Sequence, residues 1–102
     1  MTPAVLHILL SLAAEDRHGL GIAADVKAFS HGRLTLGPGT LYGTIKRLLD
    51  AGLVEDLGSP SAETDPRRRY YRITPKGRRA LELETEGLTS VLGVAKRRLK
   101  TS

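Results

Sequence analysis

Apolar residues follow helical spacing through most of this chain and alternate only in its middle. From Ala4 to about Glu15 they are nearly continuous, and Val5, Leu6, Ile8, Leu9, Leu10, Leu12 and Ala13 cover more than one face of a helix. Thr2-Pro3 supplies its start, a capping hydroxyl before a residue whose missing N–H costs nothing there. A helix this greasy must bury more than one side, one against the domain core and another against a second subunit. Asp16-Arg17-His18-Gly19 reads as a turn. A second helix is predicted from about Leu20 to Ser30, with Ile22, Ala23, Val26 and Phe29 facing inward and Gly32 placed to stop it. Arg33-Leu34-Thr35-Leu36 is then a short connection.

The third helix runs from Pro38 toward Gly52, with Gly37 as its cap and Gly52 closing it. Leu41, Ile45, Leu48 and Leu49 give one buried stripe. The opposite face shows Gly39, Gly43, Lys46, Arg47 and Asp50, with Thr40 and Tyr42 on its flanks. After Gly52 the period changes. Leu53 to Leu57 reads as a strand, Gly58 to Pro66 as a polar turn, and Arg69 to Thr74 as a second strand. On that second strand Tyr71 and Ile73 share one face, Tyr70 and Arg72 the other. Thr74-Pro75 repeats the earlier helix-start signal, and a last helix is predicted from Pro75 to about Leu99. Leu81, Leu88, Leu92, Ala95 and Leu99 form its stripe, with Val91 beside them and Gly87 and Gly93 inside it. No later sequence is left to cover that stripe, so a second copy of the chain is its expected cover.

This order predicts a mainly α protein with a small β-hairpin: a winged helix-turn-helix over residues 1–74 and a C-terminal dimerisation helix over residues 75–102. A chain of 102 residues makes one domain. It holds 16 Lys and Arg against 11 Asp and Glu. The excess is local: Arg67, Arg68, Arg69, Arg72, Lys76, Arg78 and Arg79 lie between Pro66 and Leu81 with no acidic residue among them. Such a stretch points to an anionic polymer as partner. With only four aromatic residues, groove binding to a duplex is favoured over stacking on single strands.

Several functions are excluded or disfavoured. The chain has no cysteine, which removes disulfides, thiolate metal sites and cysteine nucleophiles. The apolar run from Val5 to Ala14 lacks a basic leader and is too short to span a bilayer, so a buried helix and a cytoplasmic protein are expected. His7, His18 and His31 are too scattered for a metal site and are assigned structural roles. Gly37-Pro38-Gly39-Thr40 lacks the ending of a nucleotide-binding loop, and no nucleophile–base pair is evident. No enzyme activity, metal or cofactor is expected.

Two blocks then carry a resemblance. Leu36-Gly37-Pro38-Gly39-Thr40-Leu41-Tyr42 is followed by Lys46-Arg47-Leu48 and Gly52-Leu53-Val54, and later by Arg68-Arg69-Tyr70-Tyr71-Arg72-Ile73-Thr74-Pro75-Lys76-Gly77. With His18-Gly19, these resemble the PadR family of bacterial winged-helix transcriptional regulators, in its compact form. The sequence departs from that pattern at Gly37, where the family often has serine. It departs again at Leu20, often aromatic there, and at Gly43, often a larger polar residue. The resemblance implies a dimeric repressor of a near-palindromic operator, with a small-molecule or stress signal that relieves binding.

Chemistry assigns the roles. Thr40, Tyr42 and the first amides of the third helix are expected to hold phosphates, with Tyr42 alternatively packing on the flank of the core, and Lys46 and Arg47 to reach phosphates or base edges. Arg67, Arg68 and Arg69 are expected on flanking backbone or minor groove, with Arg69 or Arg72 alternatively bracing the wing. Thr35, Pro38, Gly39 and Gly43 complete the surface expected to meet double-stranded DNA. The expected homodimer interface comprises Val5, Leu6, Leu9, Leu81, Leu88, Val91, Leu92, Ala95 and Leu99. The alternatives are a winged helix that binds a protein partner, against which Lys46 and Arg47 argue, and one that binds RNA.

Overall fold

The computed structural model describes residues 1–59 and 68–100. Helix α1 spans Pro3–Ala14 and begins where Thr2 Oγ1 accepts the Val5 amide at 3.2 Å. Helix α2 spans Gly19–Phe29 and helix α3 Pro38–Asp50. Strand β2 is Val54–Gly58, strand β3 is Tyr70–Ile73, and helix α4 is Pro75–Lys100. The remaining strand, β1, is the two-residue segment Arg17–His18.

That strand corrects the expected turn at Asp16–Gly19. Arg17 pairs with Tyr71 and His18 with Tyr70, so the sheet is antiparallel in the order β1-β3-β2 rather than a two-stranded hairpin. Two residues are too few to show alternation, and their partners lie some fifty residues later. His18 also caps α2, its Nδ1 accepting the Gly21 amide at 2.9 Å. His7 is likewise structural, with Nδ1 2.6 Å from the Pro3 carbonyl.

One core gathers all four helices and strands β2 and β3. Ile8, Leu9 and Leu12 of α1 meet Ile22 and Val26 of α2, Leu36 from the connection, and Leu41, Ile45 and Leu48 of α3; Val54, Tyr71, Ile73 and Leu81 close it. Strand β3 alternates as expected, with Tyr71 and Ile73 buried and Arg72 exposed. Leu9 and Leu81 belong to this core and are 0% and 6% exposed, which corrects their placement in a subunit interface. The helix periods put them on apolar stripes, but which stripe meets the core is set only by packing. Phe29 is a second correction. It is exposed, lying past the edge of the core, with its ring stacked on His7 at 5.5 Å.

Two closures fix the angle of α3. Gly52 has φ +74°, a left-handed conformation suited to glycine, and Leu53 N donates to Leu48 O at 2.9 Å to end the helix. Thr74 Oγ1 then donates to the Gly52 carbonyl at 2.7 Å and accepts the Gly77 amide at 3.0 Å. One hydroxyl thus starts α4 and ties it to the end of α3. Gly77 fits tightly there: a Cβ would collide with the Leu53 carbonyl oxygen.

Candidate nucleic-acid interface

Helix α3 is held on one side and open on the other. Leu41, Thr44, Ile45 and Leu48 are buried, and Gly39, Thr40, Gly43, Lys46, Arg47 and Asp50 are exposed. Gly37 provides no side-chain cap, so the first turn begins at Pro38 with amides facing outward unassisted by a side chain. A Cβ built on Gly39 or Gly43 meets nothing within 4 Å. Thr35 and Pro38 are exposed at the approach to this face.

Tyr42 is turned inward. Its ring packs over Gly19, where a Cβ would come within 2.7 Å of it, and its hydroxyl is buried. In this structure the phenol is a packing group rather than a surface hydroxyl. Thr44, a residue that sequence reasoning gave no role, supports the open face from within. It is 0% exposed and its Oγ1 accepts from Arg47 Nη2 at 3.2 Å. A threonine three residues before an arginine on a helix was the available signal.

The basic run divides differently from the sequence. Arg67 lies outside the described residues, and Arg68 is exposed. Arg69 Nε is 2.8 Å from Asp56 Oδ2, and Arg72 Nη2 is 2.8 Å from Asp16 Oδ2, so both brace the wing. Lys76 Nζ donates to the Ala51 carbonyl at 2.8 Å and Arg78 Nη2 to the Ala13 carbonyl at 3.3 Å. Those carbonyls end α3 and α1, where the helix dipole favours a cation. Arg79 reaches Glu82 at 3.5 Å. Much of the positive charge in this stretch is therefore matched within the chain.

The titrating groups follow these pairings. The hydrogen bond from Arg72 holds the Asp16 carboxyl below its ordinary range. Burial pushes the Asp56 carboxyl up, but Arg69 and the Gly58 amide outweigh it and leave it lowered. Burial, with the Asp56 charge nearby, pushes the Tyr71 phenol up. Among the described residues no cluster of three or more His, Cys, Asp or Glu could hold a metal ion, and no helix is long and apolar enough to cross a membrane.

A three-helix core with a bracing sheet and an outward, cation-bearing third helix defines a winged helix-turn-helix protein. Residues 5–83 match the sequence model of the transcriptional regulator PadR-like family, and the chain belongs to that family. It is 40% identical over 84 residues to the transcriptional regulator Rv3488 of Mycobacterium tuberculosis, covering 81% of this chain and 73% of that one. It is 37% identical over 86 residues to an uncharacterised 37.1 kDa protein of transposon TN4556 from Streptomyces fradiae. That match covers 84% of this chain but only 23% of the transposon protein, so the chain spans about a quarter of that relative. The fold is that of a PadR family transcription regulator from Clostridium difficile, with a TM-score of 0.79 at 24% identity, over 96% of this chain and 99% of that one. The family is one of DNA-binding transcription regulators, not of enzymes.

Proposed function

We propose that the protein binds a near-palindromic operator as a homodimer and represses transcription in the cytoplasm. The observation that carries this is the open face of α3, where Gly39, Thr40, Gly43, Lys46 and Arg47 are exposed together. Its two glycines let the helix backbone approach a groove closely. Thr40 and the first amides of α3 hold phosphate, Thr35 and Pro38 border it, and Lys46 and Arg47 meet phosphates or base edges. Arg67 and Arg68 extend the contact to flanking backbone from the wing, which Arg69 steadies.

In this reading residues 1–74 engage DNA and residues 75–102 join the subunits. The interface draws on Val5 and Leu6 of α1 and on Leu88, Val91, Leu92, Ala95 and Leu99 of α4. Leu88, Val91, Leu92 and Leu99 are exposed in the single chain, which supports that assignment. Two half-sites about 34 Å apart are expected for such a dimer. A small-molecule effector that relieves binding completes the reading.

The test is titration of the protein with its own upstream duplex across a salt series, with a footprint of the complex. A symmetric footprint is expected, with log affinity falling about 0.9 per log unit of salt for each phosphate neutralised. Equal affinity for structured RNA would overturn the operator assignment. Indifference to duplexes at low salt would leave a protein-binding winged helix.

A further inference from the structure

The buried residues of α3 are Leu41, Thr44, Ile45 and Leu48, and Thr44 is the polar one among them. A hydroxyl withdrawn from water costs stability unless it is hydrogen-bonded, so an apolar residue of the same shape would serve the core as well. The Thr44 hydroxyl serves another residue instead: Oγ1 accepts from Arg47 Nη2 at 3.2 Å. Among the described residues Arg47 is in no ion pair, unlike Arg69 and Arg72. It is exposed, so its charge is directed outward while one of its nitrogens is anchored to the core.

The anchor also sets a direction. Thr44 lies one turn before Arg47, which draws the guanidinium toward the amino end of α3, the end of a recognition helix that meets base edges. Gly43 stands four residues before Arg47 on the same face, with open space at its Cβ position, and adds no side chain to screen that approach. The two hydrogens of Nη2 belong to different edges of the planar guanidinium, one shared with Nε and the other with Nη1. Committing either to Thr44 therefore leaves one edge with both of its parallel donors. In the major groove guanine is the base that offers two neighbouring acceptors, O6 and N7, to such an edge.

Resting on the operator reading above, we propose that Thr44 is a positioning residue, whose buried hydroxyl holds Arg47 ready to meet O6 and N7 of a guanine in each half-site. A loose arginine loses rotamer freedom when it binds a base, and one already held loses less. Without the hydroxyl, Arg47 keeps its charge but can swing among phosphates, which carry no sequence information.

The test uses the full chain on its own footprinted upstream duplex, with guanines replaced singly by 7-deazaguanine, which pairs normally but lacks the N7 acceptor. At one symmetric position per half-site the unaltered chain is expected to lose about fivefold or more in affinity. Arg47→Ala should show no further loss at that position. Thr44→Val should weaken operator binding by about fivefold, leave affinity for an unrelated duplex of equal length unchanged, and shrink the 7-deazaguanine effect. Thr44→Ser should restore all three. Arg47→Lys, which leaves the core untouched and keeps the charge, should likewise lose preference for the operator, and it serves if Thr44→Val does not fold.

Equal weakening of both duplexes by Thr44→Val marks a structural role and overturns the proposal. So does a folded Thr44→Val with unchanged preference, or the lack of any guanine whose N7 acts through Arg47. An unaltered chain that binds operator and unrelated duplex alike overturns the operator reading itself, and the guanine contact with it.

Discussion

Lys46 and Arg47 stand on the open face of α3, Arg47 steadied by the Thr44 hydroxyl, whereas Arg69 and Arg72 pair with carboxylates and Lys76 and Arg78 with helix-end carbonyls of the chain. The second group is the denser in sequence, and it looks like the footprint of a polyanion. In three dimensions those cations hold the wing to its neighbours and neutralise the ends of α1 and α3. The first group is sparser, and it sits where a rigid helix presents it to solvent. Clustered charge along a chain is therefore a poor guide to where a ligand meets it. Charge on the outer side of an element whose inner side is locked in the core is a better one.

The glycines divide in the same way, and the largest expected effect lies on the jammed side. Gly77→Ala drives a Cβ into the Leu53 carbonyl, so a loss of about 3 kcal/mol or more is expected, read as a fall in melting temperature. Next comes the open face of α3. Arg47→Glu should leave the melting temperature nearly unchanged and weaken operator binding by about 1–3 kcal/mol if the arginine reads a base. Retained operator affinity in that variant would move the recognition surface away from α3.

Gly43→Ala sharpens the contrast with Gly77. With open space around its Cβ, it should stabilise α3 by up to about 1 kcal/mol. If the proposed groove contact is as close as the bare face allows, the same change lowers DNA affinity, and a gel-shift titration beside a thermal melt separates the two effects.

The smallest effect belongs to the wing braces, because Arg72 and Asp16 meet at the surface. The Asp16 pKa is lower in the folded chain than its ordinary value, so the stabilisation is complete above the ordinary value. It is lost as pH falls through the depressed one. Melting temperature measured through the acid range should therefore fall less steeply in Arg72→Ala than in the unaltered chain. Identical acid limbs in the two proteins would show that the pair adds nothing.

Much of the fold was legible because its signals are local. Thr2-Pro3, Gly37-Pro38, Gly52 and Thr74-Pro75 mark helix ends through backbone chemistry that needs no distant partner. The alternation of Tyr71 and Ile73 with Arg72 likewise marks the wing strand. Strand β1 was not legible, because a two-residue strand exists only through its partner. The inward turn of Tyr42 was legible only as the second of two readings, because it depends on the absence of a side chain at Gly19. Thr44 escaped notice because a buried threonine beside leucines looks like filler until its hydroxyl is seen to hold Arg47.

By itself the sequence determined the helices, the wing, their order and the apolar stripes that had to be buried, since periodicity and capping act within a few residues. Tertiary structure alone decided which stripe became core and which stayed open, as at Leu9 and Leu81 against Leu88 and Val91. It also decided which cations were matched inside the chain. Both outcomes depend on distances between residues far apart in sequence, and those are fixed only when the elements pack.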